Sequence, residues 1–116
     1  MDTEHFKKAI APFFWVKHKD QFSVCLSTGE YKQELFETRE EEGFEGSGYD
    51  WWALAKAFLK EYMPELKATI HHDPEADMYC AYSTEPDALR TFILKFREIC
   101  DNDSLIKDLF LSVETE

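Results

Sequence analysis

The sequence predicts an α+β fold: a mainly antiparallel sheet built from two hairpins, with about three helices packed on one face. Three observations carry this. Two pairs of short β-prone runs are each joined by a polar turn. Two long segments place apolar residues at helical intervals. Regular strand–helix–strand alternation, which a doubly wound parallel sheet needs, is missing. At 116 residues the chain suits one domain spanning 1–116, and no repeat or linker marks an internal boundary.

The first hairpin starts after Pro12. Phe13-Phe14-Trp15-Val16 reaches a turn at Lys17–Asp20, and Gln21–Ser27 then alternates. Phe22, Val24 and Leu26 fall on one face, with Ser23, Cys25 and Ser27 on the other. Thr28-Gly29 ends it. Tyr31–Glu42 is open: Tyr31, Leu35 and Phe36 suit a helix, yet a third strand fits too. Asp50 is expected to N-cap the next helix, with Trp51, Leu54, Ala55, Phe58, Leu59 and Tyr62 forming its apolar face. Trp52 falls at the edge of that face beside Lys56 and Met63, so its ring is expected to be partly exposed.

The second hairpin runs from Ala68–His72 through a turn at Asp73–Asp77 to Met78–Tyr82. Thr84 and Asp87, with Pro86 between them, predict a capping-box start for a helix carrying Leu89, Phe92, Ile93, Phe96, Ile99 and Cys100. Asp101-Asn102-Asp103 breaks that helix and caps a last one, in which Leu105, Ile106, Leu109, Phe110 and Val113 pack. The acidic tail beyond is expected to fray.

Composition then excludes several functions. Net charge is −11, so nucleic acid and anionic membranes are poor partners. No apolar run reaches the ~20 residues of a membrane span. MDTEHFKK carries both charge signs with no cleavage site after it, so no secretory signal is expected. Cys25, Cys80 and Cys100 form no CxxC pair and sit in apolar segments, which predicts reduced thiols and a cytoplasmic location.

Motifs for catalysis are absent: there is no HExxH, GxSxG or GxxxxGK[ST]. Gly46-Ser47-Gly48 before a helix suggests an anion site, but Glu40, Glu41, Glu42, Glu45 and Asp50 surround it, and Asp50 is expected to occupy the amides itself. His71 and His72 are adjacent on a strand and point to opposite faces, a poor arrangement for one metal ion. Asp73, Glu75 and Asp77 lack the glycine and distal glutamate of a calcium loop. The sequence therefore reads as a non-enzyme, with no cofactor or metal.

Binding is better supported. Glu30–Asp50 holds eight acids against Lys32 and Arg39, a charge of −6 in 21 residues. Phe44, Tyr49 and Trp52 lie among these acids, beside the glycines. Acids steer a basic partner while aromatic anchors slow its dissociation. Glu40, Glu41, Glu42, Phe44, Glu45, Tyr49 and Trp52 are the expected partner-binding residues. Trp51 belongs to the core, whereas Tyr49 and Trp52 could face either way.

Tyr31–Trp51, YKQELFETREEEGFEGSGYDW, resembles the characteristic stretch of the Imm51 family of bacterial immunity proteins. Asp73–Ser83, DPEADMYCAYS, and Leu105–Phe110, LIKDLF, are similar in the same order, and the likeness runs from about Phe13 to Val113. The resemblance implies a small cytoplasmic α+β protein that binds and blocks a cognate toxin domain of a polymorphic toxin system. Asparagine is commoner in the family where this chain has Ser47. The family brings no catalytic residues to carry over. The expected partner is a protein, a basic one on the reading of the acidic stretch, met by a monomer. The alternative is a small ligand-binding domain or hydrolase with a pocket under the glycine loop.

Overall fold

The computed structural model describes residues 3–114. Among them are α1 (Thr3–Ile10), β1 (Phe14–His18), β2 (Gln21–Ser27), α2 (Gln33–Glu37), α3 (Gly48–Tyr62), β3 (His71–His72), β4 (Met78–Ser83), α4 (Pro86–Asp101) and α5 (Asp103–Leu111). The strands form one antiparallel sheet of order β1-β2-β4-β3, so the two hairpins join through β2 and β4. The α+β class and antiparallel sheet stand as the sequence predicts. Thr115 and Glu116, the end of the acidic tail, lie outside the described residues.

The first hairpin turns more tightly than expected. Lys17 and His18 pair with Phe22 and Gln21, leaving only Lys19 and Asp20 in the loop. Lys19 sits at φ 56°, the positive φ that a two-residue hairpin loop demands. Alternation along β2 sends Val24 and Leu26 into the core. Cys25, expected on the open face, is nonetheless buried, because Phe14 and Cys80 flank it in register.

The second hairpin has a shorter first arm than Ala68–His72. Pro64–Leu66 makes a 3-10 turn, and the N–H groups of Thr69 and Ile70 both donate back to the Leu66 carbonyl. Those residues are committed to a turn, so only His71 and His72 remain to pair with β4.

The open question at Tyr31–Glu42 resolves as helix: α2, then a 3-10 turn at Glu40–Glu42. Among the described residues there are five α-helices where the sequence predicts about three. Sequence reasoning misses α1 because it is short and charged, although Phe6 and Ile10 share one buried stripe, with Phe6 edge-on to Trp15. Trp51 is the hub of the core, its ring 5.3–6.1 Å from those of Phe13, Tyr31, Phe36 and Phe96.

Two helix starts and one packing residue also differ from expectation. α3 is capped by Ser47, whose hydroxyl accepts from the Asp50 N–H, while Asp50 reciprocates from the third helical position. α4 has Pro86 in its first turn as read, but Thr84 and Asp87 make no capping box. Ser83 Oγ takes the Glu85 N–H, and Asp87 pairs with Arg90 instead. In α5, Asn102 caps Leu105 as expected, while Leu105 itself is exposed and Ile106, Leu109, Phe110 and Val113 pack.

Candidate functional site

The acidic loop is fastened at several points. Arg39 makes a bidentate pair with Glu42 at 2.7 and 2.8 Å. Its Nη1 also donates to the carbonyls of Phe110 and Val113, at 2.6 and 2.7 Å, in the last turn of α5 and just beyond. The guanidinium lies over the rings of Phe44 and Phe110. Arg39 thus ties the Glu40–Glu42 turn to the C-terminal helix. Phe44 faces inward, edge-on to Phe110, and is only 6% exposed.

The glycines follow from backbone demands. Gly43 closes the 3-10 turn at φ 101° and Gly46 sits at φ 84°. One Asp50 carboxylate oxygen accepts from the N–H groups of Glu45, Gly46 and Ser47, at 2.8, 2.8 and 3.2 Å. The amides that would otherwise hold an anion are filled by the chain's own carboxylate. Gln33 Nε2 donates to the Glu45 carbonyl at 2.9 Å, so α2 buttresses the same loop.

Beyond the loop, α3 carries the remaining candidates outward. Tyr49 is 53% exposed, and Trp52 is half-buried. Both line an open groove of about 980 Å³, together with Glu42 and Phe44. Glu40, Glu41 and Glu45 are exposed on the adjoining turn but do not line it. The structure therefore gathers four of the seven expected residues around one concavity and sets three acids beside it.

The groove is not uniformly acidic. Glu42, Asp50 and Glu114 line it, but so do Lys56, Lys60 and Lys67. Lys56 lies one helical turn after Trp52, with its Nζ 3.9 Å from the centre of a Trp52 ring. Helical periodicity places Lys56 and Lys60 opposite the core and says nothing of a groove, so sequence reasoning misses their part in it. The four-residue spacing of Lys56 from Trp52 is the available signal.

His72 also lines the groove, and its Nδ1 is 2.8 Å from the Tyr79 hydroxyl. Burial pushes the imidazole down to about 4, with Lys56 and His71 adding to the shift. The neutral ring and the Tyr79 hydroxyl share this hydrogen bond, and burial holds that hydroxyl well above the ordinary phenol range. His71 points to the other sheet face and packs on Tyr82. No group of three or more His, Cys, Asp or Glu residues suited to a metal ion occurs among the described residues.

The His72 environment predicts an acid sensitivity. Its folded value lies below the unfolded one, so its stabilisation is complete above about 6.5 and is lost as pH falls towards 4. The full loss is up to about 3 kcal/mol. Urea unfolding of wild type and His72→Gln across that window is expected to show a flatter pH dependence in the variant.

A family model described as immunity protein 51 matches residues 13–115. The chain belongs to that family. No curated protein and no solved structure matches it. The immunity protein 51 match takes in the glycine loop, the whole sheet and α2 to α5, whereas α1 precedes it. Membership agrees with the likeness read from Tyr31–Trp51. No described helix is long and apolar enough to cross a membrane.

Proposed function

We propose that this protein binds a cognate toxin domain and neutralises it by occlusion, as a monomer in the cytoplasm. The observation that carries this reading is the placing of exposed Tyr49 and half-buried Trp52 on one groove beside the acidic turn. Glu40, Glu41 and Glu45 steer the partner, Tyr49 and Trp52 anchor it, and Glu42 with the inward Phe44 holds the loop in shape. A toxin with a basic, phosphate-binding cleft, such as a nuclease, suits this surface. Lys56 and Lys60 then meet carboxylates at the rim of that cleft.

Co-expression with a toxin domain encoded beside the gene tests the reading. Growth rescue with a stable co-purifying complex is the expected result. Tyr49→Ala and Trp52→Ala are each expected to weaken the complex by about 30-fold, roughly 2 kcal/mol, while leaving the free protein folded. Rescue without any complex points instead to an activity that reverses damage. A small-molecule ligand is the second reading, favoured by the groove's volume of about 980 Å³. Thermal stabilisation by a small molecule, lost in Trp52→Ala, would support it.

A further inference from the structure

β2 and β4 set Cys25 directly opposite Cys80, and the two Sγ atoms are 2.6 Å apart. Backbone hydrogen bonds reveal which kind of pair this is. In an antiparallel ladder, opposed residues alternate between those that exchange backbone hydrogen bonds and those that do not. The Thr28 N–H donates to the Asp77 carbonyl, which makes that pair the bonded kind. Alternation back along β2 makes Cys25 and Cys80 a non-bonded pair. The Cys80 carbonyl agrees, since it accepts from the Asp73 N–H on the opposite side, away from β2. Non-bonded pairs bring Cα atoms to about 4.5 Å, within the span a disulfide needs.

Access is unequal. Cys25 is 7% exposed, whereas Cys80 is half-buried and lines a small cavity on the open sheet face with Ser23, Asp73 and Tyr82. All three cysteines are free thiols.

We propose that Cys25 and Cys80 form a redox-active dithiol, oxidised by a low-molecular-weight disulfide of the glutathione class to an intramolecular cross-strand disulfide. Cys80, the reachable sulfur, attacks and Cys25 resolves. The Cys80 thiol gives its proton to solvent, and the thiolate attacks one sulfur of the reagent. The reagent's S–S bond breaks, and the departing thiolate takes up a proton. Cys25, deprotonated in turn, attacks Cys80 Sγ in the mixed disulfide and expels the second small thiol. Two electrons and two protons leave the protein, and two small thiols form.

The product links the two hairpins through their central strands, on the sheet face away from α3. Burial pushes the Cys25 thiol up to about 12, with the Cys80 contact adding to it. Burial raises Cys80 too, partly offset when the Cys25 S–H donates to a Cys80 thiolate. Exchange is therefore slow at neutral pH and speeds up about tenfold per pH unit while both remain mostly thiols.

The test incubates the native full chain with excess oxidised glutathione at rising pH, then denatures and alkylates it. The expected product has lost the mass of two hydrogens, takes one alkyl group at Cys100, maps a Cys25–Cys80 link and melts higher than the reduced protein. Cys25→Ser is expected to stop at a stable glutathione adduct on Cys80, and Cys80→Ser to form neither product. If Cys25→Ser does not fold, the wild-type map decides alone. Three alkylatable thiols after prolonged incubation, a link to Cys100, a persistent wild-type adduct or a lowered melting temperature would each overturn the proposal.

Discussion

Gly48→Ala is expected to destabilise the protein by about 3 kcal/mol or more, lowering the melting temperature by roughly 10–15 °C. A Cβ at this position would lie 1.9 Å from the Glu75 carbonyl oxygen and 2.2 Å from that of Met78. Both are backbone atoms of the β3–β4 turn, held by the Glu75 N–H to Met78 carbonyl bond at 2.7 Å, so neither can swing aside. The Gly48 N–H also donates to the Ala76 carbonyl, which locks the start of α3 against that turn. Gly43→Ala supplies the contrast. Nothing lies within 4 Å of its Cβ, so only the strain of φ 101° remains. That costs about 1 kcal/mol. Thermal melts of the two variants separate close approach from backbone conformation. Similar losses would contradict the docking of α3 on the hairpin turn.

Arg39→Lys is expected to lose about 2–3 kcal/mol despite keeping its charge. The Arg39 side chain is 11% exposed and bonds Glu42 and two backbone carbonyls at once while stacking on two rings. An ammonium matches none of that planar geometry, and the Phe110 and Val113 carbonyls lose the guanidinium N–H, Phe110 keeping only its bond from the Val113 N–H. Urea unfolding checks the magnitude, and loss of hydrogen-exchange protection near Phe110 checks the location. A Lys variant as stable as wild type would mean that charge alone sufficed.

Much of the architecture is legible because hydrophobic spacing determines it. The face of α3 from Trp51 to Leu59 and that of α4 from Leu89 to Cys100 are buried as read. Along β2, Val24 and Leu26 are buried as read, whereas Cys25 on the other face is buried against that reading. What escapes the sequence is set by contacts between distant segments. Arg39 reads as one base in an acidic stretch until α5 comes beside it. Gly48 reads as loop flexibility until the β3–β4 turn closes on it. Cys25 and Cys80 are 55 positions apart, and only the β2–β4 register makes them neighbours.

The acidic run divides in the same way. Of the eight acids in Glu30–Asp50, Glu42 is held by Arg39 and Asp50 by three backbone amides. The acids left for steering near the groove are Glu40, Glu41 and Glu45, all exposed. On the proposed reading, recognition and loop construction fall to different members of one acidic run.

The most direct test of the binding proposal is calorimetric titration of the toxin domain with wild type and with the Glu40→Gln, Glu41→Gln, Glu45→Gln triple variant, at low and high salt. Wild-type affinity is expected to fall as salt rises, and the variant to bind more weakly at low salt with a flatter dependence. Unchanged affinity and an unchanged salt response in the variant would contradict the acidic turn as the toxin-facing surface.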